Sequence, residues 1–251
     1  MVTTAEARAP RGLRIYAIGD VHGCDAALAE VHGLIERDLA RRPPEDWRII
    51  HLGDYIDRGP DSRGVIGRLI GRLARGRCYC LRGNHEQMAI DVLLDGAERA
   101  LDLWLMNGGA ATLASYRVEP GPGGGADGRA ALLEAIPAAH QQFLLGLPHV
   151  VRFGDYAFVH AGIRPGRPLA EQRASDLVWI REPFLSDGRD HGSVIVHGHT
   201  PVGAVEVRTN RINLDTGAVF GGALTCLVLE GAGKALLGPD RLVPLDLSPG
   251  P

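Results

Sequence analysis

Lysine is almost missing from this chain of 251 residues: Lys234 is the only one, and the other cations are arginines. The 27 Lys and Arg residues stand against 30 Asp and Glu, leaving a net charge of −3. No basic field of the kind that holds a protein on nucleic acid is present. Aromatic residues are scarce as well, at 5%, which leaves few side chains to stack on a base. No apolar run reaches the roughly 20 residues of a membrane span. The four cysteines, Cys24, Cys78, Cys80 and Cys226, form no CxxC pair, and Cys78 and Cys80 are too close for an easy disulfide. Their apolar neighbours read as buried thiols in a reducing compartment, the cytoplasm. Residues 1–12 lack the apolar core of a signal peptide and are expected as a flexible polar tail ahead of one domain, 13–251.

What the chain does have is alternation. Leu13–Ile18, Arg48–Leu52 and Arg77–Leu81 are short apolar runs that read as strands. Helical spacing follows each: Leu28, Val31, Leu34, Ile35 and Leu39 within Asp25–Leu39, then Val65, Ile66, Leu69, Ile70 and Leu73 behind a capping Asp61, then Glu86–Leu94. Strand, loop, helix in repetition argues an α/β layered fold with ligands at the strand ends. Ala97–Tyr116 and Ala130–Leu145 read as two helices, a small helical insertion, separated by the Gly- and Pro-rich segment Glu119–Gly128. After Pro148 strands are expected at Val150–Phe153, Tyr156–His160, Ser193–His197, Ala204–Arg208, Arg211–Leu214 and Leu224–Leu229.

Polar motifs sit where these strands end: GDVHG at 19–23, GDYIDRG at 53–59, GNHE at 83–86, HAG at 160–162 and HGHT at 197–200. They bring Asp20, His22, Asp54, Asn84, His160 and His199 to one edge of the fold. Carboxylate, amide and imidazole together suit divalent ions of intermediate softness. A mixed cluster of this size fits two ions about 3.5–4 Å apart with a shared carboxylate. One such motif alone reads as a capped turn; their joint occurrence in order does not. Of the other histidines, His32, His140, His149 and His191 read as surface or helix residues, His51 as a strand residue near the core, and His197 as a neighbour of the site without ligation.

The order of these motifs resembles the PPP-type, metal-dependent phosphoprotein phosphatases of the calcineurin-like metallophosphoesterase superfamily, and within them the lambda-phage phosphatase and its bacterial relatives. RGNHEQMAID at 82–91, NGG at 107–109, WIR at 179–181, GHTP at 198–201 and DTGAVF at 215–220 extend the likeness over roughly Leu13 to Leu229. The resemblance implies two packed mixed β-sheets flanked by helices. It implies that Asp20, His22 and Asp54 hold a first metal ion and that Asp54, Asn84, His160 and His199 hold a second, with Mn2+ the usual ion and Fe or Zn alternatives. It implies His85 as general acid with Asp57 orienting it, and Arg58, Arg181 and Asn84 on the phosphoryl group. The expected reaction is direct attack of a metal-bridging hydroxide on a phosphoprotein, at phospho-Ser or phospho-Thr, with phospho-Tyr as an extension.

A second enzyme class shares these motifs, the symmetrical diadenosine tetraphosphate hydrolases. Asp57 and Glu86 follow the phosphatase pattern. A dinucleotide also needs a base platform, and the candidates Trp104, Tyr116 and Trp179 are each expected in the core.

Overall fold

The computed structural model describes residues 2–95, 98–118 and 126–247. Strands β1 (Leu13–Ile18), β2 (Asp46–His51) and β3 (Cys78–Cys80) run parallel, connected by helices α1 (Asp25–Arg41) and α2 (Ser62–Leu73). Asp61 caps α2 by accepting the Gly64 N–H at 2.8 Å. On its other edge β1 pairs antiparallel with β9 (Cys226–Glu230), which continues into β10 (Gly233–Leu237) and β11 (Leu242–Pro244). The last two strands extend the sheet beyond the sequence expectation. Their burial is partial, so they carry little apolar patterning.

The second sheet contains β4 (Val150–Phe153), β5 (Tyr156–Val159), β6 (Val194–His197), β7 (Glu206–Val207) and β8 (Arg211–Asn213), in the order β4-β5-β6-β8-β7. Its central strands β5, β6 and β8 are parallel. The fold is thus the expected α/β arrangement of two mixed sheets flanked by helices.

Side-chain alternation along β1 builds two cores at once. Ile15 and Ala17 face the second sheet and meet Phe158, Val196, Ile212 and Leu229. Tyr16 and Ile18 face the helices with Leu28, Ile35, Val65 and Leu69. A third, smaller core covers the far face of the second sheet with helix α8 (Ala174–Trp179). The C-terminal ends of the parallel strands of both sheets therefore open onto a common edge.

Two expected helices are each broken. Ala97–Tyr116 becomes α4 (Glu98–Trp104), a wide π-type turn over Leu105–Gly109, and α5 (Ala110–Ser115), because Gly108 turns to φ 102°. Ala130–Leu145 becomes α6 (Ala126–Ala135) and α7 (Ala138–Leu145), divided where Pro137 cannot donate a helical hydrogen bond. Helix α3 (Asn84–Asp95) precedes this group. Most of the Gly- and Pro-rich segment falls at 119–125, outside the described residues.

The expected flexible tail is a correction. Residues 2–12 pack along both sheets: the Thr4 N–H donates to Thr209, the Arg8 N–H to Asp155 and the Ala9 N–H to Gly231, while Ala7 is fully buried. Small alanines allow the chain to lie flat on the sandwich edge. Here the single lysine finds its role. Lys234 Nζ is buried and donates to the carbonyls of Ala7 at 3.0 Å and Ala232 at 2.9 Å, with Ala5 at 3.5 Å. Lys234→Met keeps the aliphatic stem and strips the donors from these carbonyls. It is expected to cost about 1–3 kcal/mol in urea unfolding; an unchanged midpoint would show that the tail is held by its alanines alone.

Candidate active site

The loop after β1 and the loop after β2 are locked together through the backbone. The N–H groups of Val21 and His22 both donate to the Asp54 carbonyl, at 3.0 and 2.7 Å, and the Gly23 N–H donates to Tyr55. The approach needs glycine at Gly53, which takes φ 116° and whose missing Cβ would meet His160 Nδ1 at 2.7 Å. Among the described residues, His22, Asp54, Asp57, Arg58 and His199 also adopt positive φ, between 43° and 72°. Non-glycine residues there cost on the order of 1 kcal/mol or more each, and such positions gather where surrounding contacts over-determine them.

Glu86 supplies much of that over-determination. Its buried carboxylate accepts the N–H of Asp54 at 2.9 Å, Tyr55 at 2.7 Å, Ile56 at 3.3 Å and Gly83 at 2.9 Å. The Gly83 contact is half of a capping box on α3, with Glu86 three residues in. The other contacts bind the β2 loop to the same side chain.

The structure brings Asp20, His22, Asp54, Asn84, His160 and His199 into one buried cluster. His22 Nε2 lies 3.4 Å from Asp54 Oδ2 and His160 Nε2 lies 3.3 Å from Asp54 Oδ1. The rings are fixed from behind: His22 Nδ1–H donates to the Ile56 carbonyl at 2.9 Å and His160 Nδ1–H to the Leu52 carbonyl at 3.0 Å. Each Nε2 therefore carries a lone pair. Asn84 Oδ1 stands 3.0 Å from His160 Nε2 and 2.8 Å from His199 Nδ1. His160 Nε2 and Asn84 Oδ1 are then two acceptors facing each other, which repel unless a cation reconciles them. Asp20 takes the His199 N–H on Oδ2 at 2.9 Å, while no protein donor meets its Oδ1.

The electrostatics agree. Burial lowers His22 to about 4 and His199 to about 3, and lowers His160 as well. These imidazoles are neutral near pH 7, the form in which a histidine can bind a metal ion. Burial, Asp215 and Asp54 push Asp20 well above the usual carboxylate range. Asp54 alone goes down, the four surrounding histidines overcoming its burial. Carboxylates that resist ionising together beside neutral imidazoles suit divalent cations, which would relieve their repulsion.

Beside it, His85 Nδ1–H donates to Asp57 Oδ2 at 2.6 Å, and no protein atom meets His85 Nε2, which lies 3.9 Å from Asp54 Oδ2. Burial works against protonation of His85, yet Asp54 and Asp57 outweigh it and the pKa rises. Asp57 is itself held by the Trp104 indole N–H at 2.8 Å and the Thr112 hydroxyl at 2.6 Å. Arg58 is exposed; Nη1 donates to His22 Nε2 at 2.8 Å and the guanidinium stands 5.7 Å from the Phe220 ring. Arg181 is exposed, and its charge helps hold down His160 and His199.

Other sequence expectations need correction. Trp179 is not core: it is 39% exposed and sets its ring edge-on to His199 at 6.2 Å. His32 is a helix residue of α1, as expected, and is buried there against His51. His197 stands aside from the cluster, with its nitrogens near the Gly198 carbonyl and Arg211. Sequence reasoning passed over Asp215 as a site residue; burial and Asp54 raise it to about 6, and its charge in turn helps push Asp20 up. Its position directly after an apolar strand was the available signal. Trp104 and Thr112 gave no comparable signal, because nothing local marks a helix residue as the partner of a distant loop.

This geometry is that of a metal-dependent phosphoesterase, and residues 13–222 match the model of the calcineurin-like phosphoesterases. The chain belongs to that family, whose members use a dinuclear divalent metal centre, and is a hydrolase of the phosphoesterase superfamily. It is similar to serine/threonine-protein phosphatase 1 of Salmonella typhimurium, 32% identical over 222 residues covering 84% of this chain and 89% of that one. It is also similar to the asymmetrical bis(5'-nucleosyl)-tetraphosphatase PrpE of Geobacillus thermodenitrificans, 28% identical over 235 residues covering 86% and 90%. In fold it matches a mutant of a cold-active protein tyrosine phosphatase, with a TM-score of 0.64 at 17% identity over 95% of this chain and 83% of that one. Among the described residues no helix is long and apolar enough to cross a membrane.

Replacing Glu86 by Gln turns an acceptor for four N–H groups partly into a donor. Burial and Asp54 hold the Glu86 pKa up at about 8, so near neutral pH the variant is expected to lose about 0.5–1.5 kcal/mol, the range for uncharged hydrogen bonds, and to bind metal more weakly. Wild-type stability and metal content together would mean the loops are positioned without Glu86.

Proposed function

We propose that the protein is a phosphomonoesterase that dephosphorylates phosphoproteins at phospho-Ser and phospho-Thr, with phospho-Tyr within reach of the same site. One observation carries this reading: an Asp57-braced His85 that favours the imidazolium and points an unpartnered Nε2 at the acceptor cluster. Such a group is needed where the leaving alkoxide is poor and must be protonated as it departs. The Salmonella relative's name agrees.

In this reading Asp20, His22 and Asp54 hold one divalent ion and Asp54, Asn84, His160 and His199 the other, Mn2+ being the expected metal. When bound, the ions supply Lewis acidity, screening the phosphoryl charge and acidifying water. His85 gives its Nε2 proton to the departing oxygen. Asp57 keeps the ring in register and stabilises its positive charge. Arg58, Arg181 and the Asn84 amide bind the equatorial oxygens, where charge spreads as the bond breaks. For this Arg58 turns from His22 toward substrate, which an exposed side chain can do at low cost.

The second reading is hydrolysis of a dinucleoside tetraphosphate. Trp179 at 39% and Phe220 at 67% exposure give aromatic faces beside the site, and the PrpE relatives carry that activity in their names. The readings differ in the leaving group. The metal-loaded protein is expected to show a higher kcat/KM on phospho-Ser or phospho-Thr peptides than on diadenosine tetraphosphate; the reverse order would establish the second reading.

Exhaustive chelation is expected to abolish turnover, and Mn2+ to restore it. Asp54→Ala is expected to lose both ions where His22→Ala mainly weakens one; equal metal contents would count against a shared Asp54.

His85→Asn is expected to keep the metals and lose roughly 10²–10⁴-fold in turnover, more on alkyl than on aryl phosphates. Equal losses on the two substrate types would make His85 a positioning group instead of an acid.

A further inference from the structure

Beneath the loop that carries Asp54 lies a second group of metal-ligating side chains, which the proposed reaction does not use. The parallel pairing of β2 and β3 sets His51 opposite Cys80, with Cys78 two residues earlier. Strand alternation puts both thiols and the imidazole on one face of the sheet. The sulfur atoms of Cys78 and Cys80 each lie 3.7 Å from His51 Nδ1, and the three ligand atoms all fall within 4.8 Å of one another. All three side chains are buried. We propose that His51, Cys78 and Cys80 form a separate site for a thiophilic divalent cation, Zn2+, distinct from the acidic cluster above it.

The spacing supports this. Bonds of about 2.3 Å to sulfur and about 2.0 Å to nitrogen place the sulfur–nitrogen edges of a tetrahedron at about 3.5 Å. The side chains already stand near those edges. Binding moves two thiol protons to solvent, and the resulting thiolates cancel the charge of the ion. The filled site is neutral, as full burial requires. A monovalent ion would leave net negative charge there, and hard ions such as Mg2+ prefer oxygen ligands.

An outer partner is in place as well. His51 Nε2 lies 2.9 Å from His32 Nε2. With Nδ1 on a metal, Nε2 must carry the proton and donate it to His32. His32, buried beside it, places its own Nε2 where an acceptor is needed. The Tyr79 carbonyl, 3.3 Å from the same Nδ1, is an oxygen at hand for the fourth position.

The site would pin β3, a three-residue strand at the edge of its sheet. Asn84 and His85 follow that strand directly. The Tyr55 hydroxyl donates to the carbonyls of His51 at 3.1 Å and Leu81 at 2.8 Å, tying the site to the loop between Asp54 and Asp57.

The test uses the whole protein loaded with Co2+, whose bonds to thiolate give an intense near-ultraviolet charge-transfer band that oxygen and nitrogen ligands do not. The band is expected in the wild type and in Asp54→Asn, which disables the acidic cluster, and in Cys24→Ser, which removes the thiol next to it. It is expected to vanish in the double variant Cys78→Ser, Cys80→Ser. Should that variant fail to fold, titration of the wild-type zinc form with a mercurial replaces it. One equivalent of zinc is then expected to leave as two thiols react. No band in the Co2+ wild type, a band that survives the double substitution, or thiols that react without releasing zinc would each overturn the proposal. So would a purified protein lighter by two hydrogens with Cys78 bonded to Cys80.

Discussion

The loops after β1, β3 and β5, which bring most of the candidate ligands to the site, lean on Asp54. Its carbonyl receives two N–H groups from the β1 loop, its own N–H is taken by Glu86, and its carboxylate accepts the His85 N–H at 3.1 Å while facing His22 and His160. Contacts from β1, β3 and β5 thus converge on one residue at the end of β2. The environment is nearly dry, and unpaired negative charge in such a place is costly. Asp20, Asp54, Glu86 and Asp215 crowd together, while the histidines among them are held neutral. Backbone donors satisfy Glu86 and part of Asp20. Asp20 Oδ1 finds no protein donor and His160 Nε2 faces Asn84 Oδ1, so divalent cations would complete the electrostatics of this interior as well as its chemistry.

That convergence also accounts for the strained backbone. His22, Asp54, Asp57, Arg58 and His199 could not hold positive φ on local preference alone. The conformations persist because Glu86, the Asp54 carbonyl and Asp20 fix the neighbouring peptide groups. Relaxing any one loop would leave buried donors on another without acceptors. Strain and buried polarity are therefore one arrangement: rigid ligand geometry obtained from loops, where strands alone could not turn six side chains toward one point.

Much of this was legible in the sequence because it is written locally. A glycine followed by a polar residue after a short apolar run marks a strand end, and the motifs place Asp20, Asp54, Asn84, His160 and His199 there with little ambiguity. The parallel strands and α1 and α2 follow from period and capping. What was not legible depends on long-range packing. Trp179 is apolar by composition yet stands half out beside His199. His32 sits at a helical position that the sequence leaves free, but burial against His51 is decided by the sheet beneath. The packed tail rests on Lys234, more than 200 positions away. Trp104 and Thr112 become partners of Asp57 only once Gly108 has bent the helix.

The bend at Gly108 links the helical insertion to the acid–base pair. The Gly108 carbonyl accepts the Arg58 N–H at 3.1 Å, and a Cβ at that position would press on the Arg58 side chain at 2.8 Å. One turn away on either side, Trp104 and Thr112 reach the two oxygens of Asp57. The same short stretch therefore sets the direction of Arg58 and the charge held against His85. The Asp57 carboxylate is fully buried, and each donor it receives stabilises its ionised form against a desolvation that favours the neutral acid. An ionised Asp57 joins Asp54 in favouring a proton on His85. The insertion thus forms the wall that holds Asp57 against His85: Trp104 and Thr112 donate to its two oxygens while the Gly108 carbonyl fixes the neighbouring Arg58 peptide.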